Sequence, residues 1–114
     1  MTEGDVVLVP LPQVDGQLKV RPCLVLRVLP PFNDLLVCGI STQLQHEVKG
    51  FDDVVLASDR DFIQSGLRAT SLIRLGFLGV IPTSQIAGSI GSIDSQRHQN
   101  LLKRLANFLI GNIT

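Results

Sequence analysis

Tryptophan and tyrosine are both missing from these 114 residues. The five phenylalanines, at 32, 51, 62, 77 and 108, are scattered without tandem spacing. That distribution argues against an aromatic platform of the kind on which RNA-recognition sheets stack bases. Net charge is missing too, because ten basic side chains balance ten acidic ones. This excludes the strongly basic class whose affinity for polyanions follows from total charge. No apolar run approaches the roughly 18 to 20 residues of a membrane span, so no membrane role is expected. The opening Met-Thr-Glu-Gly-Asp is acidic where a signal peptide is basic, and a cytoplasmic location is expected. Cysteine is scarce. Cys23 and Cys38 lie inside apolar runs and are expected to be small buried hydrophobes rather than a disulfide. They are too few for a closed zinc site, and neither a metal nor another cofactor is expected.

What is present is a hydrophobic chain, 45% apolar and 18% charged, which excludes general disorder. Its length suits one domain over 1–114. Most of it divides into short apolar runs separated by turn residues, the pattern of strands. Strands are expected over Asp5–Leu11, Val20–Leu29, Leu35–Ser41 and Asp52–Ala57, with Pro10 and Pro12 marking an edge or a strand end. Loops are expected over Gln13–Lys19, which contains Asp15-Gly16, and over Thr42–Phe51. Ser58–Gly66 has the cap chemistry of a short helical turn, with Ser58 or Asp59 opening it and Gly66 closing it. Ala69–Pro82 is apolar but holds Gly76 and Gly79, so it is either two strands or one sharply bent one. Ala87–Ile93 suits a small closing strand.

A helix is expected over Ser95–Ile110, capped by Asp94 or Ser92 and ended by Gly111. Leu101, Leu102, Leu105, Phe108 and Leu109 form one apolar stripe along it, with Arg97 and His98 on the polar side. The fold class is therefore mainly β with a C-terminal helix, a small SH3-like barrel.

The segment Lys19-Val20-Arg21-Pro22-Cys23-Leu24-Val25-Leu26 carries the most chemistry. Alternation puts Arg21, Cys23 and Val25 on one face and Pro22, Leu24 and Leu26 on the other. A hairpin turning through Pro30–Asn33 pairs Leu29 with Asn33 or Asp34 and sets Arg21 opposite Ser41 or Thr42. Directly opposed residues share a face with Cβ atoms about 4.5–5.5 Å apart. A guanidinium and a hydroxyl at one strand mouth can hold a phosphate. Taken alone, each has a plainer role: a solvated arginine, and hydroxyls that end a strand by bonding their own backbone. His46 is the one nearby side chain that titrates near neutrality, which makes it a chemical candidate for a general base. Asp52-Asp53 and Asp59/Asp61 lack metal-loop spacing and are expected to start a strand and cap a helix.

At this point a family resemblance is visible. Gly4-Asp5-Val6-Val7, the polar loop, Val20–Leu26, Gly39-Ile40-Ser41-Thr42-Gln43, Ser71-Leu72-Ile73-Arg74 and the terminal amphipathic helix follow in the order of the MazF/PemK toxin family. The chain resembles that family over nearly its whole length. The resemblance implies an SH3-like barrel of the MazF/PemK/CcdB toxin type, a homodimer, and metal-independent cleavage of single-stranded RNA to a 2′,3′-cyclic phosphate and a 5′-OH. It also implies a cognate antitoxin as partner. By position, Arg21 matches the family's catalytic arginine and Ser41 the place of its usual catalytic threonine. Gln17 falls near the scissile site. Together with Lys19, Thr42, Gln43 and His46 it is expected to contact RNA. Gly76-Phe77-Leu78-Gly79-Val80 stands where many members carry an acidic-Gln-Ile-Arg-Thr run, so no arginine or acid is carried over there. Two alternatives remain open: a non-catalytic CcdB-type DNA gyrase inhibitor acting through the apolar tail 108–114, and an inactive SH3-like RNA-binding module. Finally, the zero net charge is a cancellation of blocks. Acids gather in 1–18 and 50–66 and bases in 19–49 and 67–114, so a local basic groove is compatible with it.

Overall fold

A computed structural model describes residues 2–111. Six strands form one antiparallel sheet: β1 (Asp5–Pro12), β2 (Leu18–Leu29), β3 (Asp34–Ser41), β4 (Asp53–Val55), β5 (Ser71–Ile81) and β6 (Gly88–Ser92). Their order is β4-β5-β3-β2-β1-β6. Two helices accompany them, α1 (Phe62–Ser65) and α2 (Ser95–Ile110). The expected mainly β fold with a terminal helix is what forms. The sheet curls into a half-barrel, open between its edge strands β4 and β6.

Period-2 alternation sorts the central strands onto two buried faces. Val6, Leu24, Leu26, Cys38, Ile40, Ile73 and Leu75 share one core with Leu101 and Leu105 of α2. Val7, Val9, Cys23, Val25, Leu35 and Val37 form a second core, closed by Leu11, Val28, Ile81 and Ile86 as the sheet bends over itself. Cys23 and Cys38 therefore lie on opposite faces and cannot be bridged. Burial pushes the Cys23 thiol up to about 11 and that of Cys38 higher still, so both behave as inert small hydrophobes.

The expected boundaries shift where side chains take over backbone partners. The first loop closes in five residues, because the Gln13 amide donates to the Gln17 carbonyl (2.7 Å) and the Gln17 amide to Asp15 Oδ1 (3.0 Å). Gly16 makes the turn at φ 83°. Lys19, expected in that loop, is thus a β2 residue opposite Leu11. Pro10 and Pro12 fall where β1 has run past β6, since that pairing stops at Leu8. Their missing N–H groups cost no ladder bond there. Strand β4 is shorter than expected, because the Leu56 amide donates to Asp59 Oδ2 (2.9 Å) instead of continuing the ladder. The 69–82 segment is one bent strand. The small turn α1 begins after Asp61, not after Ser58 or Asp59, and Gly66 closes it at φ 75° as its chemistry requires.

Helix α2 is capped by Asp94, whose carboxylate accepts from the Gln96 amide (3.0 Å). Leu101 and Leu105 are buried, but Phe108, Leu109 and Ile110 are each about two-thirds exposed. The apolar stripe outruns the sheet it packs on. Its polar side departs from expectation as well. His98 Nε2 meets the Leu26 carbonyl at 2.9 Å instead of facing solvent. Arg97 is enclosed by three aspartates: Nη1 to Asp53 (2.7 Å), Nη2 to Asp59 (2.8 Å) and Nε to Asp61 (2.9 Å). Asp53 starts β4 and Asp61 stands at the N-cap position of α1, as expected, but their carboxylates, with that of Asp59, pin α2 to these elements.

Candidate functional site

Strands β2, β3 and β5 bring the first candidates together. The β2–β3 ladder begins at Leu29↔Asp34, a register that would set Arg21 opposite Thr42. A bulge at Leu26 moves the pairing to Cys23↔Gly39, the last pair of the ladder, and this register, carried two residues further, points Arg21 toward Ser41. Arg21 and Ser41 both line a cleft of about 350 Å³, together with Thr42 and Gln43. The exposed Arg21 guanidinium makes a single long hydrogen bond, from Nη2 to Gln13 Oε1 at 3.4 Å. It is free to turn toward an anion.

Ser41 is held by its own backbone turn. Its Oγ accepts from the Gln43 amide at 3.0 Å. A hydroxyl has one proton and two lone pairs. With one lone pair engaged by that amide, the side chain is oriented and its O–H stays available to donate. The strand-ending role expected of this serine and a ligand-binding role are therefore compatible in one rotamer.

The part of the lining that comes from β5, the neighbour of β3 on the side away from β2, was not foreseen. Ser71, Arg74 and Phe77 all line the cleft. Between Gly39↔Arg74 and Cys38↔Leu78 the ladder skips Leu75, Gly76 and Phe77, so β5 carries a three-residue bulge. The bulge strands the Leu75 amide in the interior. Buried Asp52 receives it on Oδ1 (3.0 Å) and takes the Val48 amide on Oδ2 (2.9 Å). The bulge then turns the Phe77 ring onto Gly39, where an added Cβ would lie 2.8 Å from Phe77 Cδ1. The Arg74 guanidinium stands 5.7 Å from the centre of that ring, within cation–π range. Gly76 and Gly79 were the sequence signal for an irregular strand. The size of the bulge, and hence which side chain reaches the cleft, was not readable from them.

Asp52→Asn is expected to replace one of the two accepting oxygens by a donor facing an amide. The cost is about 1–3 kcal/mol, seen as a lower midpoint in a thermal melt; an unchanged midpoint would show that Asp52 does not hold the bulge.

The remaining sequence candidates lie outside the cleft lining. Gln17 is at the tip of the first hairpin and Lys19 is on β2, on the same face as Arg21 by alternation. His46 is exposed in a 3-10 turn over Leu44–His46. Among the described residues, the only ionisable side chains lining the cleft are Arg21 and Arg74. Among the described residues no group of three or more His, Cys, Asp or Glu is placed to hold a metal ion, and no helix is long and apolar enough to cross a membrane.

Comparison with known proteins agrees with this architecture. A search of curated protein sequences finds no match. Among solved structures, the Mycobacterium tuberculosis toxin MazF-mt6 shares the fold, with a TM-score of 0.65 at 22% identity over 93% of this chain and 96% of that one. The model of the PemK-like, MazF-like toxins of type II toxin–antitoxin systems matches residues 2–109. With a family match across nearly its entire length and the half-barrel to go with it, the chain belongs to the PemK-like, MazF-like family of type II toxins.

Proposed function

We propose that this toxin is an endoribonuclease that cuts single-stranded RNA without a metal, leaving a 2′,3′-cyclic phosphate and a 5′-OH. The observation that carries the reading is the cleft in which two arginines and an oriented serine hydroxyl converge on one wall-to-wall space. The ribose 2′-oxygen forms a bond to the adjacent phosphorus as the bond from phosphorus to the 5′-oxygen breaks. Negative charge grows on the non-bridging oxygens, where a guanidinium fork and a hydroxyl donor stabilise it most. Arg21 supplies the fork, Ser41 the single O–H, and Thr42 and Gln43 extend the polar wall along the strand. Gln17 and Lys19, both on the β1–β2 hairpin, contact the RNA beyond the cleft. The 2′ proton leaves to hydroxide, and water reprotonates the 5′-oxygen, because arginine hardly deprotonates.

This division of labour sets the pH dependence. With no neutral-range base lining the cleft, log rate is expected to rise with a slope of about one from roughly pH 6 to 9. A bell or a plateau within that range would restore His46 as the base, and the His46→Ala profile would then lose it.

The defining experiment incubates the purified toxin with long single-stranded RNA in EDTA and maps the ends. Discrete cuts carrying cyclic phosphates are expected; intact RNA would overturn the reading. A cognate antitoxin is the expected protein partner, covering this cleft. The exposed apolar end of α2, with Phe108 packed against Phe51 at 4.9 Å between ring centres, suits a homodimer contact. The same exposed end also favours the gyrase-inhibitor reading. A supercoiling assay separates the two, because a toxin that spares gyrase and cuts RNA excludes it. Residues 112–114 of that tail lie outside the described residues.

A further inference from the structure

Phe77 is a large aromatic side chain left half exposed, at 51%, on the lining of the cleft that also holds Arg21 and Ser41. Burying an aromatic ring is among the larger apolar gains open to a chain of this size. A conformation that leaves it open, yet well held, needs a reason. Three features hold it. Asp52 satisfies the buried amide released by the bulge. Gly39, alone among the paired residues of β3, has no side chain and lets the ring lie on the strand. Arg74 approaches the ring at 5.7 Å. Ring and guanidinium stand on β5, next to the strand that carries Ser41 and one strand further from Arg21, and line the same cleft.

Resting on the RNA-cleavage reading above, we propose that Phe77 is the stacking platform for one nucleobase next to the scissile phosphate, with Arg74 meeting the phosphate beyond it. Alternation of a flat apolar ring with cations is the pattern that single-stranded nucleic acid requires, since each nucleotide offers a π-face and a charge. A single ring suffices. The absence of tandem aromatics in the sequence excludes an extended platform but not this isolated one. The recognition is selective by position along the RNA, and larger purine faces stack best.

The test uses the cut site mapped for the wild-type toxin. Short RNAs are made with an abasic nucleotide at each position flanking the cut, and kcat/KM is measured with wild type, Phe77→Ala, Phe77→Leu and Phe77→Trp. One abasic position is expected to slow wild type by about 10- to 100-fold. Phe77→Ala and Phe77→Leu should show a similar loss on intact RNA and no further loss on that abasic RNA, while Phe77→Trp retains activity. Gly39→Ala, which displaces the ring without removing it, should follow Phe77→Ala.

Losses that multiply independently overturn the proposal, as does wild-type activity in Phe77→Ala. Unchanged RNA kinetics with a weakened antitoxin complex would assign the ring to the protein partner and equally overturn it. If the wild-type toxin cuts no RNA at all, the cleavage reading itself fails. If it cuts but the cycle is additive, only the stacking platform does.

Discussion

Arg21→Ala is expected to slow RNA cleavage by about 100- to 1,000-fold, the usual effect of removing one well-placed charge stabiliser. The loss should fall mainly on kcat, because the charge that Arg21 meets is largest in the transition state. The fold should survive unchanged. Arg21 is exposed and its one hydrogen bond, to Gln13, is long. Near-identical melting curves for variant and wild type would confirm that the lost rate is chemical. Arg21→Lys keeps the charge but not the planar fork, so it is expected to recover only a small part of the activity. Ser41→Ala removes one neutral donor and should cost less, about tenfold. An Arg21→Ala protein that cuts as fast as wild type would place the chemistry elsewhere, with Arg74 the next residue to replace.

Arg97→Met is the substitution expected to cost the fold most. Removing the guanidinium leaves Asp61, whose side chain is only 4% exposed, buried with its main counter-charge gone. Breaking a buried ion pair from one side costs about 3–5 kcal/mol. The lower end applies here, because Asp53 and Asp59 keep a quarter or more of their surface in water. On a domain of this length about 3 kcal/mol lowers the melting midpoint by some 15 °C.

The pH dependence has a definite sign. Burial alone would push the Asp61 carboxyl up, but the Arg97 hydrogen bond, the Asp94 amide and the Arg97 charge outweigh it and hold it below the ordinary 3.8. Its ionised form therefore stabilises the fold above that value, and the contribution disappears as pH falls through the lowered folded-state pKa. In Arg97→Met the burial effect and the backbone amides of Asp94 and Asp61 remain, so the wild-type advantage should be full at pH 7 and shrink toward pH 3. A difference in melting midpoint that stayed constant down to pH 3 would contradict the ion-pair account. Asp61→Asn in the Arg97→Met background should recover part of the loss, since it removes the stranded charge.

These two residues differ in how far the sequence announced them. Arg21 was legible because its neighbours are local. The proline beside it, the apolar alternation after it and the tight turn at 30–33 together place it near Ser41 or Thr42, and the Leu26 bulge shifts the register toward Ser41. Arg97 was not legible. It sits on the polar side of an amphipathic helix, like any solvated residue, while its partners lie 36 to 44 residues earlier. The same holds for His98, whose partner Leu26 is 72 residues away. Nothing in a local pattern encodes such distances.

What the sequence by itself determined is most of the strands, the alternation of their faces, the closing role of Gly66, and the hairpin that carries Arg21 to the Ser41–Thr42 end of β3. Each follows from side-chain period or turn chemistry within a dozen or so residues. Only the tertiary structure decided the second wall of the cleft and the anchoring of the helix. The β5 bulge depends on Asp52 accepting an amide 23 residues later in the chain, and on Gly39 leaving room across the strand for Phe77. A register skip costs little locally, so its position is chosen by whichever distant partners satisfy it.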